Sequence, residues 1–157
     1  MGVTSIRQAV AVVREPGEQG EKFERHATKA TGPESQLKPT ALVVDDSADI
    51  AFMLVMILQN AGYEAVMSTS AIDALSLTEL KHFDLVVSDI AMPDMDGYSL
   101  AKALRSRTEY QHVPLVAVTG FDQYDDRQRA LEAGFNTHTR KPIDPTSFIN
   151  LIRNLPS

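Results

Sequence analysis

From residue 40 onward, short strand-like runs recur at the pitch of a strand–helix repeat, and four of them end in a polar residue. Asp45 and Asp46 follow Ala41–Val44, Asp89 follows Leu85–Ser88, Thr119 follows Leu115–Val118, and Lys141–Pro142 follows Asn136–Arg140. Strands alternating with helices fold as a parallel sheet covered on both faces, joined by right-handed crossovers. In such a sheet the carboxyl ends of neighbouring strands open on one crevice, so residues distant in sequence can share a site. Three carboxylates, one hydroxyl and one ammonium would meet there.

The spacing predicts strands over 41–45, 63–67, 84–89, 113–118 and 136–139, and helices over 47–60, 70–81, 97–107, 122–133 and 144–154. Ser47, Ser70 and Asp122 stand where N-caps are expected, Gly62 and Gly134 follow helices, and Pro114 falls where a strand begins. Residues 1–39 differ in character: they are polar, with one apolar stretch at Ala9–Val13, and are expected to form a disordered arm, with a transient helix near Ile6–Arg14. The expected domain is 40–157.

The net charge of −6 is uneven, +1 over residues 1–39 and −7 over residues 40–157. An acidic domain without a Lys/Arg cluster is a poor ligand for a phosphate backbone, so direct nucleic-acid binding is not expected. The absence of cysteine excludes disulfides, thiolate metal sites and cysteine nucleophiles. No segment approaches the roughly 20 apolar residues of a membrane span, and a cytoplasmic protein is expected.

Asp45, Asp46 and Asp89 crowded together would repel one another unless a cation were present. Oxygen-only donors favour Mg²⁺, which binds through one or two carboxylates, waters and a phosphate. Lys141 and Thr119 would then supply a charge and a hydroxyl to two phosphoryl oxygens, with Asp89 as the nucleophile that forms an acyl phosphate. Taken singly, Asp45–Asp46 reads equally well as a turn with a helix cap and Asp89 as a strand-ending turn residue; the joint register with Thr119 and Lys141 favours the site.

Leu42–Asp46, Asp84–Gly97, Val118–Gly120 and Lys141–Pro142 together closely resemble the receiver domain of bacterial two-component response regulators, over about residues 40 to 155. The resemblance implies a flavodoxin-like fold with strand order 2-1-3-4-5. It further implies that Asp46, Asp89 and the Ala91 carbonyl ligate Mg²⁺, that Asp45 acts through water, and that Asp89 accepts a phosphoryl group from a histidine kinase or histidine phosphotransfer protein. Thr119 and Lys141 would sense the group. Within Met92–Gly97, Pro93 and Gly97 read as architectural and Asp96 as a helix cap.

The position three residues before the lysine, commonly Tyr or Phe in the family, holds His138. It reads either as an imidazole packed in an edge strand or as a modified switch partner for Thr119. The stretch Gly134–His138 is similar to receivers of hybrid sensor kinases, which suggests a phosphorelay. Ala91 and Phe121 offer no carboxylate or amide to orient water, so a long-lived phosphoryl state is expected.

Ile50–Leu58 is nine consecutive apolar residues, too many for a helix with one buried side. Placing Ile50, Leu54, Ile57 and Ala61 on the core leaves Phe52, Val55, Met56 and Gln59 outward as a partner-docking face. Burial of that face by the arm or by neighbouring side chains is the competing reading.

The function expected is a stand-alone phosphorylation switch or relay, monomeric or dimerising on phosphorylation, that passes its signal to an unknown downstream protein and catalyses only its own phosphorylation and dephosphorylation. The alternatives are a Mg²⁺-dependent phosphatase with an aspartyl nucleophile, whose second Asp would stand where Ala91 does, or a degenerate receiver that signals by binding. A flavodoxin-like cofactor binder would want a phosphate-cradling loop where the carboxylate pair stands.

Overall fold

The computed structural model describes residues 37–120 and 124–156. The expected arm up to residue 36, the Asp122 cap and Phe121 lie outside the described residues. Five parallel strands, β1 (Thr40–Val44), β2 (Glu64–Ser68), β3 (Leu85–Asp89), β4 (Leu115–Thr119) and β5 (Thr137–Arg140), form one sheet in the order β2-β1-β3-β4-β5. The helices are α1 (Ala48–Asn60), α2 (Ala71–Leu80), α3 (Gly97–Arg105), α4 (Tyr124–Ala133) and α5 (Pro145–Arg153). This is the expected topology.

Alternation along β1 divides the core in two. Ala41 and Val43 pack with Ala51, Leu54, Val55 and Leu58 of α1 and with Phe148 and Ile152 of α5. Leu42 and Val44 face the opposite layer, with Ala74 of α2, Leu100 and Leu104 of α3, and Ala130 of α4. A strand buried on both faces needs apolar residues at every position, which is why β1, β3 and β4 read as continuous runs.

Local chemistry sets the element ends. Ser70 Oγ accepts from Asp73 N–H at 3.1 Å, Asp96 Oδ1 from Ser99 N–H at 2.8 Å, and Asp144 Oδ2 from Ser147 N–H at 2.8 Å, each capping a helix. Gly62 (φ +99°) and Gly134 (φ +116°) turn the chain after α1 and α4 in a conformation costly for any other residue.

Among the described residues, two boundaries differ by two residues from the spacing's expectation and the others by one at most. Helix α3 ends at Arg105 and is followed by a 3₁₀ turn, Thr108–Tyr110, while β4 begins only at Leu115. The cause is tertiary: Tyr110 is fully buried and its hydroxyl accepts from Phe83 N–H at 3.1 Å, which draws the chain inward before the strand can start.

Candidate functional site

The register of the sheet brings the predicted residues to one edge. Val44 aligns with Ser88, Asp89 with Val118, and Thr119 with Arg140. Asp45, Asp89, Thr119 and Lys141 therefore stand at the carboxyl ends of four adjacent strands. Backbone bonds from Asp45 N to Ser68 O (3.1 Å), Ile90 N to Val118 O (3.2 Å) and Lys141 N to Thr119 O (2.9 Å) continue the ladder into the loops that carry them.

Ligand oxygens of Asp45, Asp46 and Asp89 all lie within 4.8 Å of one another. Asp45 is fully buried, Asp89 is 5% exposed, and Asp46 faces solvent. Asp45 Oδ1 accepts from Ser47 N–H at 2.9 Å, whereas Oδ2 is enclosed without a well-directed hydrogen bond. What Oδ2 faces is the Lys141 ammonium, 2.9 Å away; the same Nζ is 3.4 Å from Asp89 Oδ2.

The Lys141 ammonium lies within ion-pair distance of two of the three carboxylates, Asp45 and Asp89. Burial, and then the neighbouring Asp45 charge, push the Asp89 carboxyl above the usual range despite Lys141. Burial pulls the Lys141 ammonium down, but Asp45 and Asp89 outweigh it and its pKa rises. The surplus of negative charge, the buried oxygen lacking a hydrogen bond and the all-oxygen donor set fit a hard divalent cation of the Mg²⁺ kind.

The loop after Asp89 is shaped by close approach. A Cβ on Gly97 would lie 2.2 Å from the Asp89 carbonyl oxygen and 2.8 Å from Ile90 Cα, both backbone atoms that cannot yield. Without it, the first turn of α3 rests on the strand end, with Gly97 N–H donating to Ile90 O at 2.8 Å. Asp94 turns the loop at φ +67°, a conformation Asp tolerates better than most residues. Ala91 lies exposed in the same loop.

Thr119 is buried at the end of β4. His138 is half-buried in β5 and aligns with Ala117, which places it on the same face of the sheet as Thr119.

The docking face expected on α1 needs one correction. Val55 is buried (7% exposed), because Ala51, Leu54, Val55 and Leu58 form the stripe against the sheet. Phe52 (59%) and Met56 (44%) are exposed as expected, as is Gln59, and Met53 (38%) takes the place assigned to Val55. Ala51, fully buried, packs with Ala41 and Val43 of β1 in that stripe.

Three comparisons with known proteins bear on this site. The family model described as the response regulator receiver domain matches residues 41–153. The polar-differentiation response regulator DivK of Brucella ovis is 30% identical over 115 residues, 73% of this chain and 94% of that protein. Among solved structures, the chemotaxis protein CheY4 of Vibrio cholerae superposes with a TM-score of 0.73 at 28% identity, covering 76% of this chain and 99% of that one. The receiver domain of the Pseudomonas aeruginosa sensor histidine kinase PA1611, solved with a magnesium ion coordinated in its active-site cleft, superposes with a TM-score of 0.68 at 25% identity, covering 74% of this chain and 95% of that one.

Proposed function

The chain belongs to the response regulator receiver domain family, the phosphorylatable signalling switches of two-component systems, and on that premise we propose that Asp89 accepts a phosphoryl group from the phosphohistidine of a kinase or histidine phosphotransfer protein. The observation that carries this reading is the meeting of Asp89 with Asp45, Asp46 and Lys141 at one edge of the sheet. Asp45, Asp46, Asp89 and the Ala91 carbonyl would hold Mg²⁺, which when bound supplies positive charge for the phosphoryl oxygens.

Asp89 attacks phosphorus through a carboxylate oxygen; the new O–P bond forms as the donor's N–P bond breaks, and the imidazole leaves with the electron pair. Burial of Asp89 and Thr119 keeps bulk water from the reacting atoms. Lys141 follows the charge to the transferred group and Thr119 offers it a hydroxyl; His138, on the same face as Thr119, takes the place of the aromatic switch residue. The protein acts on no substrate but its own acyl phosphate. It works in the cytoplasm as a switch or a step in a phosphorelay, and hands its state to a downstream protein or to a second copy of itself. Among the described residues no helix is long and apolar enough to cross a membrane.

The test is intact-mass analysis after incubation with acetyl phosphate, with and without Mg²⁺, beside Asp89→Asn. A Mg²⁺-dependent gain of one phosphoryl group, lost in the variant, is the expected result. No gain would leave a degenerate receiver that signals by binding alone, and steady turnover of a phosphate ester would favour the phosphatase.

A further inference from the structure

Strand β5 leads to the Lys141 ammonium of the site, yet it is the sheet's least secured member. It is four residues long, none of them fully buried, and it pairs with β4 alone. Register is strongly specified only where burial tells one face from the other, so packing sets it poorly here. Hydrogen bonds at both ends do the fixing. At the far end Asn136 N–H donates to Leu115 O and Leu115 N–H returns a bond to Asn136 Oδ1, each at 2.8 Å. At the site end Lys141 N–H donates to Thr119 O.

The Asn136 amide is itself held. Arg105 Nη2 donates to its Oδ1 at 2.9 Å, and the same guanidinium reaches Gly134 O through Nε (2.9 Å) and Nη2 (2.8 Å), and Tyr110 O (2.6 Å) and Val113 O (2.8 Å) through Nη1. These donors go to carbonyl and amide oxygens, and burial lowers the guanidinium's pKa. The arrangement needs Gly134, since a Cβ there would stand 2.6 Å from Arg105 Cγ. The end of α3, the approach to β4 and the start of β5 are thereby joined through one side chain.

We propose that Asn136, oriented by Arg105, is a positioning residue for Lys141: it fixes the register of β5 against β4 and so sets where the ammonium stands relative to Asp45 and Asp89. The proposal rests on the reading of Lys141 as the counter-charge of the phosphoryl group. A slip of one residue turns every side chain of β5 to the other face, and a slip of two moves the ammonium by about 7 Å.

The test compares Asn136→Ala with Asn136→Asp, whose carboxylate keeps the acceptor for Leu115 N–H and Arg105. The carboxylates of the metal site belong to β1 and β3, so Mg²⁺ affinity of the full chain is expected not to fall by more than about twofold in either variant. The rate of phosphorylation by acetyl phosphate is expected to fall about tenfold in Asn136→Ala and to recover in Asn136→Asp, as for a reacting group misplaced by a remote change. An unchanged rate in Asn136→Ala, a parallel loss of Mg²⁺ affinity, or no recovery in Asn136→Asp overturns the proposal. If the wild-type protein takes no phosphoryl group, the reading of Asp89 fails instead, and the clamp is judged by the NMR shift of the Lys141 amide: moved in Asn136→Ala it stands, unmoved it falls.

Discussion

Lys141 reaches past Asp89 to hold Asp45, its Nζ lying 2.9 Å from Asp45 Oδ2 and 3.4 Å from Asp89 Oδ2. The closer carboxylate is the more deeply buried one, with no exposure against 5% for Asp89. The resting ammonium thus offsets the charge that water can reach least, and Asp89 keeps an unbalanced share.

Lys141→Ala strands Asp45 Oδ2 in the interior without a counter-charge. The metal-free protein should lose about 1–3 kcal/mol, the usual cost of an unsatisfied buried polar group. Saturating Mg²⁺ should restore part of that loss, because a ligand that binds only the folded state stabilises it by mass action. Thermal melts with and without Mg²⁺ check this; an equal deficit in both conditions would count against the metal site.

Asp89→Asn should stabilise the metal-free protein near neutral pH. Burial and then Asp45 raise the Asp89 carboxyl, so the folded state binds this proton more tightly than the unfolded chain does. Stability from such a group is complete below the unfolded pKa of about 4 and is lost as pH rises through the folded value. The advantage of Asn should therefore shrink as pH falls into the acidic range. Melting temperatures across a pH series would expose the opposite trend if the Asp45 charge were fully offset by Lys141.

Gly97→Ala puts a methyl against the Asp89 carbonyl, where 2.2 Å is available. Overpacking of this kind costs about 1–3 kcal/mol, and more where only backbone can yield. Urea unfolding should show a lower midpoint at an unchanged slope, and acetyl phosphate labelling of the folded fraction should slow because the acceptor strand is displaced.

The phosphoryl state should be long-lived. Ala91 is exposed in the loop beside Asp89 and has no group to orient an attacking water. Ala91→Asn supplies one and should shorten the lifetime several-fold, read from the decay of the phosphorylated mass. Rapid decay in the wild-type protein would refute the argument.

Phe52→Ala combined with Met56→Ala removes the two most exposed apolar side chains of the α1 face without touching its buried stripe. Transfer from a cognate phosphohistidine donor should slow at least tenfold, in keeping with loss of an aromatic anchor at a docking surface. Labelling by acetyl phosphate should be unaffected, since that donor needs no docking. Matching losses with both donors would assign the face to the fold.

The site was legible because its chemistry lies at strand ends, and strand ends are written locally. An apolar run buried on both faces must stop at a polar residue, so Asp45, Asp89 and Thr119 could be placed by eye, and the Asp96 cap and the Gly62 and Gly134 turns followed from backbone preference. The phase of α1 was not legible. Nine apolar residues in a row satisfy several stripes, and only the sheet chooses Ala51–Leu54–Val55–Leu58 over the one that would expose Val55. The Arg105 hub was hidden for another reason: its partner Asn136 is 31 residues away, and no local pattern announces a guanidinium that binds carbonyls.

The missing side chain at Gly97 also ties the Asp89 strand end to α3. With α3 seated on the Asp89 carbonyl and bonded to Ile90 O, the strand end and the helix form one block with no space between them. The opposite bank, β5 and the turn at Lys141, is only partly buried and is held by hydrogen bonds at its two ends. A group added to Asp89 would thus meet backbone that cannot yield on one side and a partly exposed lysine on the other.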